Sequence, residues 1–137
     1  MRVVLDTNIL VSGSGWSSGP PAKILDAWAA QVFSLIISDE VFEEYKRVLS
    51  DFATRHEGLE IGPLLESIVS KALLVSPELL PSSVCTDPDD DKFIAAALAG
   101  NARYIVSGDT ALLKVRVFRK IEIIRPAKFV SLLGGVK

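Results

Sequence analysis

The chain has little with which to cross-link itself or to hold a soft metal: one cysteine, Cys85, and one histidine, His56, in 137 residues. A lone cysteine cannot close an intramolecular bridge, which fits a reducing, cytoplasmic setting, and no charged, apolar, small-residue leader opens the sequence at Met1. Cys85 and His56 stand isolated, so a zinc site with its Cys and His ligands is not expected. Apolar runs such as Ile94 to Ala99 fall far below the roughly 20 residues that span a bilayer, so no membrane role is expected. Internal repeats and low-complexity segments are absent as well.

What is present is ordinary globular material, 49% hydrophobic and 23% charged. A chain of this size buries about 70% of the surface that its unfolded form exposes, and it needs no disulfide or structural metal to fold. The formal net charge of -2 conceals a lopsided distribution. Residues 1 to 100 carry 7 basic and 15 acidic side chains, whereas residues 101 to 137 carry 8 basic and 2 acidic. An acidic body beside a basic C-terminal third suits a cation in one place and a phosphate backbone in another.

Hydrophobic period sets the expected elements. Val3 to Leu5 reads as a strand buried on both faces, and Asn8 to Val11 begins a helical turn. Gly13, Gly15, Gly19, Pro20 and Pro21 predict a loop, followed by a helix over Ala22 to Ala30. Phe33 to Ile37 is a second strand. Ser38 or Asp39 caps a helix whose apolar positions Val41, Phe42, Tyr45, Val48, Leu49 and Phe52 repeat at helical spacing. A polar connection over Arg55 to Gly62 leads to a helix carrying Leu64, Leu65, Ile68, Ala72 and Leu73, with an edge strand at Leu73 to Val75. After a proline-rich loop, Asp87 caps a helix with Pro88 at its first position, and Gly100 stops it. Tyr104 to Val106 and Ile121 to Ile124 are further strands, and Ala127 to Leu133 closes the chain as a helix. Strands alternating with helices predict an α/β domain spanning residues 1 to 137, with a mainly parallel sheet covered on both faces.

In such sheets ligands bind beyond the carboxyl ends of the strands. Asp6 and Asp109 each follow an apolar run, and on neighbouring strands they lie only about one or two inter-strand spacings of 4.8 Å apart. Carboxylates that close repel unless a positive charge sits between them. On the Ser38 to Phe52 helix, Glu43 points away from the apolar stripe, whereas Glu44 borders it at roughly 95° and can reach over the sheet. In DPDDDKFIAAAL, Asp90 heads the face formed by Phe93, Ile94 and Ala97, and Asp91 shares part of that face. Asp90 ranks first as third acid and Asp91 second. Oxygen-only ligation by Asp6, Glu44, Asp90 and Asp109 suits Mg²⁺ or Mn²⁺, and an acid pocket of this kind does phosphoryl-transfer chemistry by activating water and steadying the leaving oxygen. Thr7, Asn8 and Ser107 are supporting candidates, with the structural alternative that they satisfy backbone groups in turns. Lys114, Arg116, Arg119 and Lys120 are candidates for phosphate contact, with solubility as the alternative. Trp16 and Trp28 are candidates for stacking, Trp28 being placed rather in the core.

These segments, VVLDTNILVSG at Val3 to Gly13, SDEVFEEYKRVL at Ser38 to Leu49, DPDDDKFIAAAL at Asp87 to Leu98 and YIVSGDTALL at Tyr104 to Leu113, resemble the PIN-domain ribonucleases. Within them, they resemble the small VapC-like toxins of prokaryotic toxin-antitoxin pairs. Carried over by position, the family's four acids fall on Asp6, Glu44, Asp90 and Asp109, its polar pair on Thr7 and Asn8, and Ser107 stands where the family often has Thr. The resemblance implies a sheet of order 3-2-1-4-5, Mg²⁺- or Mn²⁺-dependent endoribonuclease action on single-stranded RNA, a homodimer, and a small antitoxin protein as partner.

Three other functions fit parts of the pattern. An aspartyl-phosphate phosphatase uses an aspartate after its first strand but wants a second acid two residues on, where this chain has Asn8. A receiver-type signalling domain wants paired acids near the first strand and a lysine near the last, and Asp6 has no acidic neighbour. A catalytically silent module that keeps the fold for RNA or partner contact is the remaining alternative, against which stand intact acids at all four places.

Overall fold

A computed structural model of the chain describes residues 1 to 15 and 18 to 134. The first strand, β1 (Arg2–Leu5), has Val3, Val4 and Leu5 fully buried in succession, so both of its faces are covered, as expected of a central parallel strand. It runs directly into α1 (Thr7–Gly15), followed by α2 (Pro20–Ala29) and β2 (Ser34–Ile37). The long helix α3 (Asp39–Arg55) begins at Ser38, whose hydroxyl oxygen accepts a hydrogen bond from the Val41 N–H at 3.2 Å. That settles the cap as Ser38 rather than Asp39, an interaction worth about 1 kcal/mol.

After α4 (Gly62–Lys71) the chain adds the two-residue edge strand β3 (Leu73–Leu74). A short 3-10 turn at Pro88–Asp90 leads into α5 (Asp91–Ala99), then β4 (Tyr104–Val106), α6 (Thr110–Leu113), β5 (Val117–Phe118), β6 (Ile121–Ile124) and α7 (Pro126–Gly134). Asp87 caps the 3-10 turn, through the Asp89 N–H, rather than the α-helix itself.

The sheet order is β3-β2-β1-β4-β6-β5, parallel throughout except for the β5–β6 pair. The expected order 3-2-1-4-5 therefore holds for the parallel strands, with β6 in the fifth place and an antiparallel ribbon added outside it. This extra strand is only two residues long and joins β6 through Arg119 and Lys120, with Arg119 at φ 55. A tight turn without glycine or asparagine gives no signal in composition.

A second difference concerns Gly13 and Gly15, expected in a loop but found at the end of α1. A β-carbon at Gly13 would stand 2.6 Å from Leu25 Cδ1 and 2.8 Å from the Pro21 carbonyl oxygen, and one at Gly15 would stand 3.1 Å from the Phe52 ring. These glycines let α2 and α3 approach α1 closely; they do not turn the chain. The core fills both sides of the sheet, and each fully buried Leu5, Ile36 or Phe93 side chain contributes about 1.5–3 kcal/mol. Trp28 is buried in that core, and Trp16 lies outside the described residues.

Candidate active site

The parallel register decides what meets at the carboxyl ends of the strands. Leu5 pairs with Val106 across β1 and β4, so the next residues, Asp6 and Ser107, are brought side by side. The backbone continues the pairing for one more step, Asp6 N–H donating to the Val106 carbonyl at 2.9 Å. Both residues are buried, and the Ser107 hydroxyl donates to Asp6 Oδ2 at 2.6 Å. Burial raises the Asp6 carboxyl above its ordinary value, the Ser107 and Thr7 hydrogen bonds oppose that rise, and the charges of Asp109 and Glu44 add to it.

Asp109 follows two residues later as the cap of α6. Its N–H donates to Ser107 Oγ at 2.9 Å, and its Oδ1 accepts from the Ala111 N–H at 3.2 Å. Ser107 therefore links the two acids, donating to one and accepting from the other.

Glu44 arrives from α3. Thr7, buried in the first turn of α1, donates its hydroxyl to Glu44 Oε2, and Lys92 of α5 donates its ammonium to Oε1 at 2.7 Å. The neighbouring Tyr45 is fully buried, and its hydroxyl donates at 2.5 Å to the Leu5 carbonyl, the last of β1. This bond pins α3 over the strand end and so fixes where Glu44 reaches. Burial, with the Asp6 and Glu44 charges added, pushes the Tyr45 phenol well above its ordinary range.

Asp90 and Asp91 are separated by their surroundings. The Asp91 carboxylate accepts from the Ser83 hydroxyl at 2.7 Å and from the Cys85 N–H at 2.8 Å, clasping the loop before α5. Burial alone would raise its pKa, but these donors hold it below the ordinary value. The same carboxylate adds to the burial that pushes the Cys85 thiol up to about 12.

Asp90, in contrast, has a buried oxygen, Oδ2, with no hydrogen-bond partner. Burial comes first, followed by Asp109 as acceptor and as charge and then by the charges of Asp6 and Asp87, and together they push the Asp90 carboxyl up to about 8. With both carboxylates ionised there would be no proton between them to share. A proton on Asp90 or a cation between the pair relieves the conflict.

The structure thus brings Asp6, Glu44, Asp90, Asp109, Thr7 and Ser107 together at one end of the sheet. Asp91 faces the preceding loop, and Asn8 is exposed. Lys114, Arg116, Arg119 and Lys120 are all exposed. Lys92 and Tyr45 were missed as site residues by sequence reasoning. Their signal is adjacency: Tyr45 follows Glu44 on the apolar stripe of α3, and Lys92 borders the stripe of α5 just before Phe93.

The donor set is oxygen only, and the orphaned Asp90 Oδ2 calls for a positive partner, so the residues fit a hard divalent cation. Among the described residues, however, no group of three acids stands at the close spacing that would by itself define a metal site. The arrangement is a negatively charged rim with one acid already paired to Lys92. No helix among the described residues is long and apolar enough to cross a membrane.

Comparison with known proteins gives this geometry a family. An uncharacterized protein of Methanocaldococcus jannaschii is 31% identical to this chain over 119 residues, covering 85% of this chain and 76% of that protein. The PIN domain family matches residues 2–111, a span that holds all four converging acids. With β1, α3, α5 and β4 all inside that match, the chain belongs to the PIN domain family, whose fold is nuclease-like.

Proposed function

We propose that this chain is a Mg²⁺- or Mn²⁺-dependent endoribonuclease that hydrolyses phosphodiester bonds of single-stranded RNA, with residues 1 to 137 forming one nuclease domain. The observation that carries the proposal is the unpartnered Asp90 Oδ2, buried beside Asp109 and within reach of the Asp6 charge. Polar groups are buried at a loss unless something compensates them. A protein that needed only the fold would be more stable with an amide or an apolar residue there.

Asp6, Asp90 and Asp109 are assigned to holding the ion, with Glu44 as the fourth acid of the rim. A bound divalent ion supplies an acidified water and a counter-charge for the leaving oxygen. Ser107 orients Asp6 through its hydroxyl and Asp109 through its oxygen, and Thr7 orients Glu44. Orienting partners of this kind fix the ligands before the ion arrives.

The reading includes a toxin role in a toxin-antitoxin pair, a small antitoxin protein as partner, a homodimer and a cytoplasmic location. A short open reading frame beside the gene, encoding a protein that binds this chain and suppresses its action on RNA, tests the toxin role, and gel filtration tests the dimer. One observation favours the silent binding module instead: both oxygens of Glu44 are already engaged, by Thr7 and Lys92. Cleavage of single-stranded RNA in Mn²⁺ separates the two. The nuclease reading requires that Asp6→Asn cut far more slowly than the parent, and equal rates would sink it.

A further inference from the structure

The rim has two unlike halves. On one side Glu44 has a cation already: Lys92 Nζ lies 2.7 Å from Oε1, and the two side chains are only 8% and 11% exposed. Lys92 is held from outside by exposed Asp89 at 3.3 Å, whereas Arg47 reaches Glu44 only at 4.0 Å from the surface. On the other side Asp90 Oδ2 is buried with no partner, next to Asp109 and Asp6.

We infer that Lys92 is a built-in cation of the site, neutralising Glu44 so that Asp6, Asp90 and Asp109 take a single divalent ion where an unpaired Glu44 would recruit a second. The inference rests on the proposed function. Its physical basis is that a divalent ion at Glu44 would meet the Lys92 ammonium already held 2.7 Å from Oε1, and positive charges brought that close in a poorly solvated setting repel. A divalent ion on Glu44 would have to expel the largely enclosed Lys92 ammonium, which would then keep only the exposed Asp89 as a counter-charge. Lys92 lies in the first turn of α5 and Asp90, the last residue of the 3-10 turn, stands at that helix's N-cap, so the built-in charge and Asp90 are held two residues apart at one helix start. Lys92 acts here through Glu44 and is a positioning residue.

The test counts Mn²⁺ bound per chain at neutral pH, by electron paramagnetic resonance of the free ion, in the full-length parent and in variants. The parent is expected to bind one ion, Asp109→Asn none, Lys92→Arg one, and Lys92→Met two. A parent that binds two ions overturns the inference while leaving the nuclease reading in place. So does Lys92→Met binding one ion with the parent's affinity. A parent that binds none overturns the nuclease reading and, with it, the inference. Because the parent's own count can contradict the claim, it stays testable even if Lys92→Met does not fold.

Discussion

The two ends of the same sheet are built on different terms. Among the described residues the buried polar side chains are Asp6, Thr7, Ser38 and Ser107, and all four lie within two residues of the carboxyl ends of β1, β2 and β4. At the opposite end, a pocket of about 460 Å³ is walled by Ala97, Leu98, Ala102 and Ile121, and its charges, Arg103, Arg119 and Lys120, are exposed. One end keeps carboxylates out of water, and the other leaves its cations in it. Burying charge is the more expensive choice, so the end that does it is the end where chemistry is expected.

If this contrast is right, the two ends should fail differently. The largest effect falls on Asp6→Asn and Asp109→Asn, which should lower Mn²⁺-dependent RNA cleavage by more than the roughly 10- to 100-fold that loss of a supporting residue costs, measured as initial rates. Ser107→Ala, which removes the shared bridge, should fall within that roughly 10- to 100-fold range while leaving the circular dichroism spectrum unchanged.

At the other end the sensitive position is a packing one. A β-carbon at Gly100 would stand 2.6 Å from Ile36 Cγ2, so Gly100→Ala should cost about 1–3 kcal/mol in urea unfolding, with an unchanged rate per folded molecule. Arg119→Ala should be the mildest, shifting stability by less than about 0.5 kcal/mol and leaving cleavage at the parent rate. An Arg119 variant as damaged as Asp6→Asn would break the comparison.

Before the mildest of these comes a pH effect that only the acidic end can produce. Asp90 holds its proton up to about pH 8 in the folded chain, against an ordinary carboxyl value of 3.8. Between those values the folded state binds more protons than the unfolded one, so stability of the metal-free protein falls as pH rises and levels off above about pH 8. Melting temperatures recorded in chelator from pH 4 to pH 8 should decline in the parent, and Asp90→Asn should flatten the decline and melt higher at neutral pH. A flat parent profile would remove the electrostatic conflict from the account. The same shift makes Mn²⁺ compete with the Asp90 proton, so its affinity should rise with pH across this range.

Much of the fold was legible because hydrophobic period and strand-end position report the same thing. Three consecutive apolar residues, Val3 to Leu5, could only be buried on both faces, and the acid after them had to lie at the sheet's end. Glu44 was legible as a residue bordering an amphipathic stripe, and Asp90 as the head of another. Helical position ranked Asp90 ahead of Asp91 but gave no sign of what Asp91 binds; its clasp on Ser83 and Cys85 is a tertiary fact. Gly13 and Gly15 misled because glycine permits both a turn and a close helix contact, and sequence records only the permission. Lys92 was hidden for the opposite reason: a lysine is ordinarily solvated, and nothing in its neighbours says that its counter-charge comes from 48 residues away.

The claim that these strand-end acids form a cup for a divalent ion is tested most directly by the melting temperature of the full chain with and without Mn²⁺. The parent should gain stability, about 2.7 kcal/mol at a hundredfold excess of ion over its dissociation constant, and Asp6→Asn should gain none. An identical rise in both proteins, or no rise in the parent, would contradict the account.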